Sequence, residues 1–370
     1  MKETLSILYL IDHLETNYPR DQNYIIKYMI DRGHEVEVIT TISRYKIYDS
    51  LFFPTVRILR YPTAFKVRKA SIYIHPSILY ELSRGFDAVH SFTFFTFSSV
   101  LGIFVKANSK VVRSEIGQPH GSNFIKAKKG IYSTLVNIYK NNYSYVTAYN
   151  YLEAKSLELL RFPKSKIVLL PPMIDFKMFS SLRKPPEHML NIGVIGRISP
   201  EKGIHRIVPI VKELMKDIQG TGNKFRLILA GRADEREYAR TILSSLQKLL
   251  GSKFIYLGEV APPYNFYKMV DVVIVPSLIE TGAIAVLEAM AAGKCVVASN
   301  IYPINLYISH GINGFLFKNF HEATEILRGI LAGSINTGSI SAKAQEYAKN
   351  HDYRVICKVL EQIYRQGLMR

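Results

Sequence analysis

Cysteine is scarce in this chain: Cys295 and Cys357 are the two it carries in 370 residues, and they form no pair with metal-ligand spacing. A disulfide framework and a cysteine-bound zinc site are therefore excluded, and a reducing, cytoplasmic setting is the expectation. Acidic residues are also in short supply, with 30 Asp and Glu against 48 Lys and Arg, a formal net charge of +18. There is no Asp-x-Asp pattern and no paired-histidine spacing, so neither a metal nor another cofactor is expected. Long apolar runs are missing as well. Leu5–Ile11, preceded by Lys2 and Glu3 and stopped by Asp12, has the length of a strand and no small-residue cleavage site behind it, so it does not read as a signal peptide. Residues 88–105 lack formal charge but carry Ser91, Thr93, Thr96, Ser98 and Ser99, which suits a buried strand and helix better than a membrane span.

What is present is the composition of a globular protein, 48% hydrophobic and 21% charged, long enough for two cores. Residues 5–11, 22–40, 86–92 and 110–116 alternate short apolar strands with helical stretches, which implies a parallel sheet covered on both faces. Residues 166–179 read as a strand closed by Pro171 and Pro172, and the polar stretch 180–188 reads as a linker. The pattern then restarts, with strands expected in 190–199, 225–231, 253–260, 271–277 and 294–299, a helix over 203–218, and a helical tail from Tyr353 to Met369. The expected class is α/β: two doubly wound domains, which bind ligands at the carboxyl ends of their sheets. The charge excess is uneven, +12 over residues 1–185 and +6 over 186–370. A basic face attracts nucleic acid, anionic lipid or phosphorylated small molecules, and charge alone does not choose among them.

Two segments carry the chemistry. In "PSLIETGAIAVLEAMAAGKCVVAS" (276–299) a strand ends at Pro276, a small-residue turn follows, and a helix runs from about Ala283 to Ala292. The start of such a helix offers unpaired N–H groups and the positive end of a dipole, which suits phosphate, and Gly282 and Ala283 allow a ligand close. The plainer reading is an ordinary strand–turn–helix unit. In "GRISPEKG" (196–203) Gly196 permits a tight strand exit, and Arg197 and Lys202 straddle a loop that opens a helix. Fixed positive charge is what a departing diphosphate needs, although two solvated surface cations would look the same.

Together, Arg197, Lys202, the E-x7-E pair Glu280 and Glu288, and "EAMAAGKCVVAS" resemble the family 4 glycosyltransferases, the clan of glycogen synthase and sucrose synthase. "VLLPPMIDFKMF" is similar to that family's interdomain strand and "GINGFLF" (311–317) to its late glycine turn; the resemblance is strong over about 166–318 and continues in pattern over 1–165. It implies the GT-B fold, two Rossmann-like domains facing each other across a cleft. The expected divisions are an acceptor-side domain at 1–179, a donor domain at 180–352, and a helix at 353–370 packing back on the first domain. It further implies sugar transfer from a nucleotide-diphosphate sugar with retained anomeric configuration and no metal. Arg197 and Lys202 would hold the diphosphate, Glu280 the sugar hydroxyls, backbone N–H groups near Gly282, Ala283 and Ile284 the sugar or phosphate oxygens, and Glu288 the ribose. Gly196 would lie at the donor, and Val260 near the base.

The chain departs from the family in two places. The loop after the first strand, residues 12–22, lacks the usual glycine pair, so Asn17, Tyr18 or Arg20 takes that role or the pocket is reshaped. The usual Glu-x-Phe-Gly reads Glu280-Thr281-Gly282-Ala283. The family's acceptor-side histidine falls by strict spacing on Ile116, or else on His120 four residues later; Glu115 is a second candidate, and His90 reads as structural. Basic and aromatic stretches at 57–73 and 123–145, with Lys126, Lys128 and Lys129, fit either an anionic membrane surface or solvated lysines on a core-facing helix. The leading expectation is transfer to a glycan or a polyprenyl-lipid-linked acceptor at the inner face of the membrane. The alternatives are a nucleotide-sugar epimerase or a phosphorylase on the same fold. A nucleic-acid-binding protein is disfavoured by the lack of a zinc finger, an aromatic RNA-binding signature or a basic helix.

Overall fold

The computed structural model describes residues 3–11, 14, 20–42, 49–62, 65–67, 70–72, 76–92, 110–115, 143–159, 161–182, 189–218 and 225–366. The chain divides into two units: residues 1–173 with 353–370, and residues 174–352.

The first unit is built on a parallel sheet of β1 (Ser6–Ile11), β2 (Glu35–Thr41), β3 (Arg57–Tyr61), β6 (Ala88–Phe92), β7 (Lys110–Glu115), β8 (Tyr145–Ala148) and β9 (Ile167–Leu169) in the order 3-2-1-6-7-8-9. A small antiparallel pair, β4 (Phe65–Val67) and β5 (Ala70–Ile72), lies apart from it. The alternation of side chains along β1 explains why its sequence is apolar from Ile7 onward. Ile7, Tyr9 and Ile11 enter a core with Ile25 and Met29 of the helix Asp21–Asp31, whereas Leu8 and Leu10 enter another with Ile39, Ile78 and Leu82. The helix Tyr353–Arg365 belongs to the first of these cores through Tyr353, Ile356, Cys357, Leu360, Ile363 and Tyr364. Its Glu361 accepts hydrogen bonds from Tyr28 (3.0 Å), Arg32 (3.2 Å) and Arg365 (2.8 Å), and lies 3.2 Å from His34 Nε2.

The second unit repeats the scheme with β10 (Leu190–Ile195), β11 (Phe225–Ala230), β12 (Phe254–Tyr256), β13 (Val272–Val275), β14 (Cys295–Ser299) and β15 (Phe315–Phe317), all parallel, in the order 12-11-10-13-14-15. Val272, Ile274, Cys295 and Val297 fill one face, and Val273, Val275, Val296 and Ala298 the other. Ile174 and Asp352, where the chain enters and leaves this unit, pair as a parallel bridge, with the Ile174 N–H donating to the His351 carbonyl at 2.9 Å.

Several local expectations change. In the stretch 166–179, the strand is confined to Ile167–Leu169, and Phe176–Ser180 is a helix whose first turn is capped by Asp175. The expected helix 203–218 begins as two short 3-10 turns, Pro200–Lys202 and Ile204–Arg206, before the α-helix Ile207–Ile218. Within 57–73, two cations are committed internally: Arg57 pairs with Glu37 and Glu81 at 2.8 Å, and Arg60 with Asp49 at 2.7 Å. In the stretch 88–105, residues 88–92 form a buried strand and the remainder lies outside the described residues. Among the described residues, no helix is long and apolar enough to cross a membrane.

Candidate functional site

The strand order of the second unit reverses between β10 and β13. At such a switch point the two following loops diverge and leave a crevice at the carboxyl ends of the strands. The loops concerned are residues 196–203 and 276–283, the two segments singled out by their chemistry. They are joined by backbone contacts. Leu278 and Ile279 donate N–H bonds to the Glu201 carbonyl at 2.8 and 3.2 Å. Gly203 adopts φ +64°, and a Cβ there would lie 2.2 Å from the Pro276 carbonyl oxygen, so only glycine allows the loops this approach. Gly196 ties the first loop to β11 through a 2.9 Å bond from its N–H to the Ala230 carbonyl.

Lys202 and Glu280, 78 residues apart, meet in the site: Nζ lies 2.7 Å from Oε1. The Ser277 hydroxyl donates to the same oxygen at 2.7 Å, and Glu280 is buried. Arg197, half-exposed, is held by Glu201 at 2.9 Å and Asp234 at 3.0 Å, and Asp234 also accepts from Arg232 Nε at 2.7 Å. Burial pushes the Asp234 and Glu201 carboxyls up, but hydrogen bonds and neighbouring cations outweigh it and leave both below the usual carboxylate range. The result is a set of cations poised on carboxylates, which an entering polyanion could displace.

The helix that follows spans Ile284–Ala291, shorter than expected at both ends. Ala283 lies just outside it in the left-handed region (φ 46°, ψ 41°), and its side chain caps nothing; the Val286 N–H bonds back to the Ala283 carbonyl at 2.9 Å, and the N–H groups of Ile284 and Ala285 lead out of the helix end. Glu288 lies one turn further on, buried, with Oε2 accepting from the Tyr267 hydroxyl at 2.9 Å. Burial pushes its carboxyl up to about 7, and the Tyr267 bond offsets part of the effect.

The other expected residues are spread more widely. Gly282 belongs to the turn before this helix, and Ile284 is its first residue. Val260 is half-buried against the apolar core to which Phe266 belongs. Arg20 is exposed at the start of the helix Asp21–Asp31. The buried Asp21 beside it accepts from the Tyr149 hydroxyl, and burial raises its carboxyl to about 6. Glu115 ends β7, in register with Ala148. Asn17, Tyr18, Ile116, His120, Lys126, Lys128 and Lys129 lie outside the described residues. His90 is fully buried; its Nδ1 is 2.5 Å from the Tyr364 hydroxyl, and burial holds the ring neutral with a pKa near 3.

Comparison with known proteins adds to this geometry. Residues 179–351 match the family model of glycosyl transferases group 1. That match falls within the second unit. The chain is 33% identical over 144 residues to the lipopolysaccharide 1,2-N-acetylglucosaminetransferase of Salmonella typhimurium, covering 36% of each protein. It is 24% identical over 366 residues to an uncharacterized glycosyltransferase of Methanocaldococcus jannaschii, covering 92% of this chain and 88% of that one. For the curated relatives at 33% and 32% identity, the chain aligns with about a third of their length, 36% and 30%. Among solved structures, a glycosyltransferase from Rickettsia africae superposes with a TM-score of 0.75 at 16% identity over 99% of both chains. Anabaena HepE in complex with UDP and glucose superposes with a TM-score of 0.73 at 17% identity, over 97% of this chain and 98% of that one. Such neighbours are GT-B glycosyltransferases, and the two α/β units with their parallel, Rossmann-like sheets give this chain the GT-B fold.

Four residues of the site were not singled out from the sequence. Ser277 sits three positions before Glu280 and could have been found by asking what caps a buried carboxylate. Glu201 and Asp234 are surface-type acids in polar loops, and Tyr267 is an aromatic in a short helix; none of the three carries a pattern that distinguishes it.

Proposed function

We propose that the protein is a retaining, metal-independent glycosyltransferase of family 4 that moves a sugar from a nucleotide-diphosphate sugar to a glycan or lipid-linked acceptor. The observation that supports this most is the meeting of Lys202 with Glu280 at the switch point. A cation that must neutralise a departing diphosphate and a carboxylate that must grip the sugar beside it have to be neighbours, and here they touch. On this reading the donor diphosphate displaces Glu201 and Asp234 from Arg197 and shares Lys202 with Glu280. Negative charge then grows on the leaving oxygen where two cations and the N–H groups at Ile284 already stand. Glu280 receives hydroxyls of the sugar, and Glu288 receives the ribose. The UDP and glucose bound by Anabaena HepE, and the sugar transfer named for the Salmonella relative, agree with a nucleotide-sugar donor.

Residues 1–185, with their charge of +12, supply the acceptor side in this proposal, through Arg20 at the start of the helix Asp21–Asp31, Glu115 at the end of β7, and Asn17 and His120, which lie outside the described residues. The same charge suits peripheral docking on the anionic inner face of the cell membrane from the cytoplasm. A thermal-shift screen against nucleoside diphosphates and nucleotide sugars tests the donor reading. A rise in melting temperature with one nucleotide family is expected, and no response to any of them, with turnover absent, rejects it. Once a donor is known, turnover in the presence of chelator and NMR of the anomeric product test the metal-free, retaining course. Loss of activity restored by a divalent ion, or an inverted product, overturns that part.

A further inference from the structure

Tyr267 and Glu288 lie 21 residues apart in the chain and meet inside the second unit. Tyr267 closes the short helix Tyr264–Tyr267 and has no exposed surface; its ring is edge-on to Phe179 (5.5 Å between centroids) and to Phe266 (5.3 Å). That helix can settle so close because residue 193 of β10 is glycine. A Cβ there would lie 2.6 Å from Val270 Cγ1 and 2.7 Å from the Phe266 ring. The packing leaves the tyrosine ring little freedom, so its hydroxyl is a fixed point.

That fixed point is aimed at one carboxyl oxygen. The hydroxyl donates to Glu288 Oε2 at 2.9 Å and is 3.2 Å from the Ala285 carbonyl oxygen, which places it at the first turn of the helix Ile284–Ala291. Helical side chains lean toward the N-terminus, so the Glu288 carboxyl is carried back over that same turn, beside the outward N–H groups. Its other oxygen, Oε1, accepts no hydrogen bond from any described residue, and it is not among the enclosed, unpaired polar atoms of the fold, so it reaches solvent. A buried carboxylate with one oxygen clamped and the other open is a costly arrangement unless a ligand completes it.

We propose that Tyr267 is a positioning residue for nucleotide recognition: its hydroxyl clamps Glu288 Oε2 so that Oε1 is presented to the vicinal hydroxyls of a nucleotide ribose. The inference rests on the nucleotide-sugar reading of the site and adds what fixes its sugar-ring contact. Ribose is the chemical class indicated because the acceptor is a carboxylate oxygen that forms no ion pair with a cation among the described residues, which suits hydroxyl donors rather than phosphate. The two carboxylate oxygens then divide the work, one anchored to the fold and one to the ligand. The consequence is discrimination: a nucleotide lacking the 2′-hydroxyl loses one of the bonds that the anchored carboxylate is set to receive.

The test uses the full chain and compares binding of UDP, GDP and ADP with that of their 2′-deoxy counterparts by calorimetry. The wild type is expected to favour the ribonucleotide of whichever base it binds. Tyr267→Phe keeps the ring and its packing but removes the clamp; it is expected to bind that ribonucleotide about tenfold more weakly, with the deoxynucleotide much less affected, so that the preference collapses. Equal weakening of both nucleotides, or a retained preference, overturns the proposal, because a merely structural hydroxyl would act on both alike. Glu288→Gln, which keeps an acceptor for Tyr267 while altering the open atom, must also lose the preference, and its retention overturns the proposal even if Tyr267→Phe does not fold. A wild type that binds both sugars equally overturns the ribose role while leaving the donor reading standing. A wild type that binds no nucleoside diphosphate rejects both.

Discussion

At the scale of single residues, the site is a set of charges that satisfy one another while they wait. Arg197 and Lys202 differ in how much of the fold depends on them. Arg197 is half-exposed between two carboxylates, whereas Lys202 is the cation on the buried Glu280. Arg197→Ala is therefore expected to lower turnover by about 10²–10³ with little change in melting temperature, and Lys202→Ala to lower turnover as far while also reducing stability. Steady-state rates paired with thermal melts check both, and near-wild-type turnover in either variant removes the diphosphate role. Glu288 gives a pH prediction. Its carboxyl is pushed up to about 7 in the fold, so the carboxylate proposed to receive ribose hydroxyls forms as pH rises through that value. Nucleotide affinity should climb between about pH 6 and 8, and Glu288→Gln should flatten the climb relative to wild type; an identical profile in the two would refute the assignment. The effect on stability has the opposite sign. A carboxyl raised above its unfolded value near 4.3 contributes less to folding as pH rises from there through 7. The motif residues were legible because spacing and residue type coincide in Arg197, Lys202, Glu280 and Glu288. Ser277, Asp234 and Tyr267 were not, because each acts through a partner brought to it by the fold.

Elements were easier to read where burial is complete. A strand covered on both faces must be apolar at every position, so β1, β11, β13 and β14 stand out as short continuous runs. Their ends were harder to place, because the ends are set by tertiary contacts. The helix after β13 starts one residue late, since Ala283 is held left-handed at the turn. The helix after β10 is broken at Gly203 by the approach of Pro276. Gly203 is thus the element-scale test of the site. Gly203→Ala must fit a methyl 2.2 Å from the Pro276 carbonyl oxygen at φ +64°. The loops must part, at a cost of about 2 kcal/mol or more, and Lys202 must move off Glu280. Denaturant unfolding should show the loss and turnover should fall with it. A Gly203→Ala protein as stable and active as wild type would mean that the two loops are not joined as described.

At the scale of the whole molecule, the sequence announces two α/β halves by restarting its pattern near residue 190, and the restart follows from each sheet needing its own pair of covered faces. What the pattern cannot convey is which unit owns the last helix, because an amphipathic helix will cover any apolar surface offered to it. The owner is decided by six apolar side chains in the first unit's core and by Glu361, which draws Tyr28, Arg32, His34 and Arg365 onto one carboxyl. Burial alone would raise that carboxyl; the hydrogen bonds from Arg365, Tyr28, Arg32 and His34 outweigh it and hold it down to about 2. Its folded pKa lies below the unfolded value near 4.3, so the stabilisation is fully present above that value and is lost as pH falls toward 2. Glu361→Ala should cost about 2 kcal/mol, a figure kept modest because Arg32 is half-exposed and regains water. The loss belongs to the first unit. Hydrogen exchange at neutral pH should therefore quicken in β1, β2 and the helix Asp21–Asp31, and stay unchanged in β10, β11, β13 and β14. The gap between the variant and the wild type should narrow as pH falls below about 4.3 and close only as it passes through about 2, where the wild type loses the same contribution. Faster exchange in both units alike, or a difference that persists at low pH, would show that Glu361 does not fasten this helix to the first unit in the way its contacts indicate.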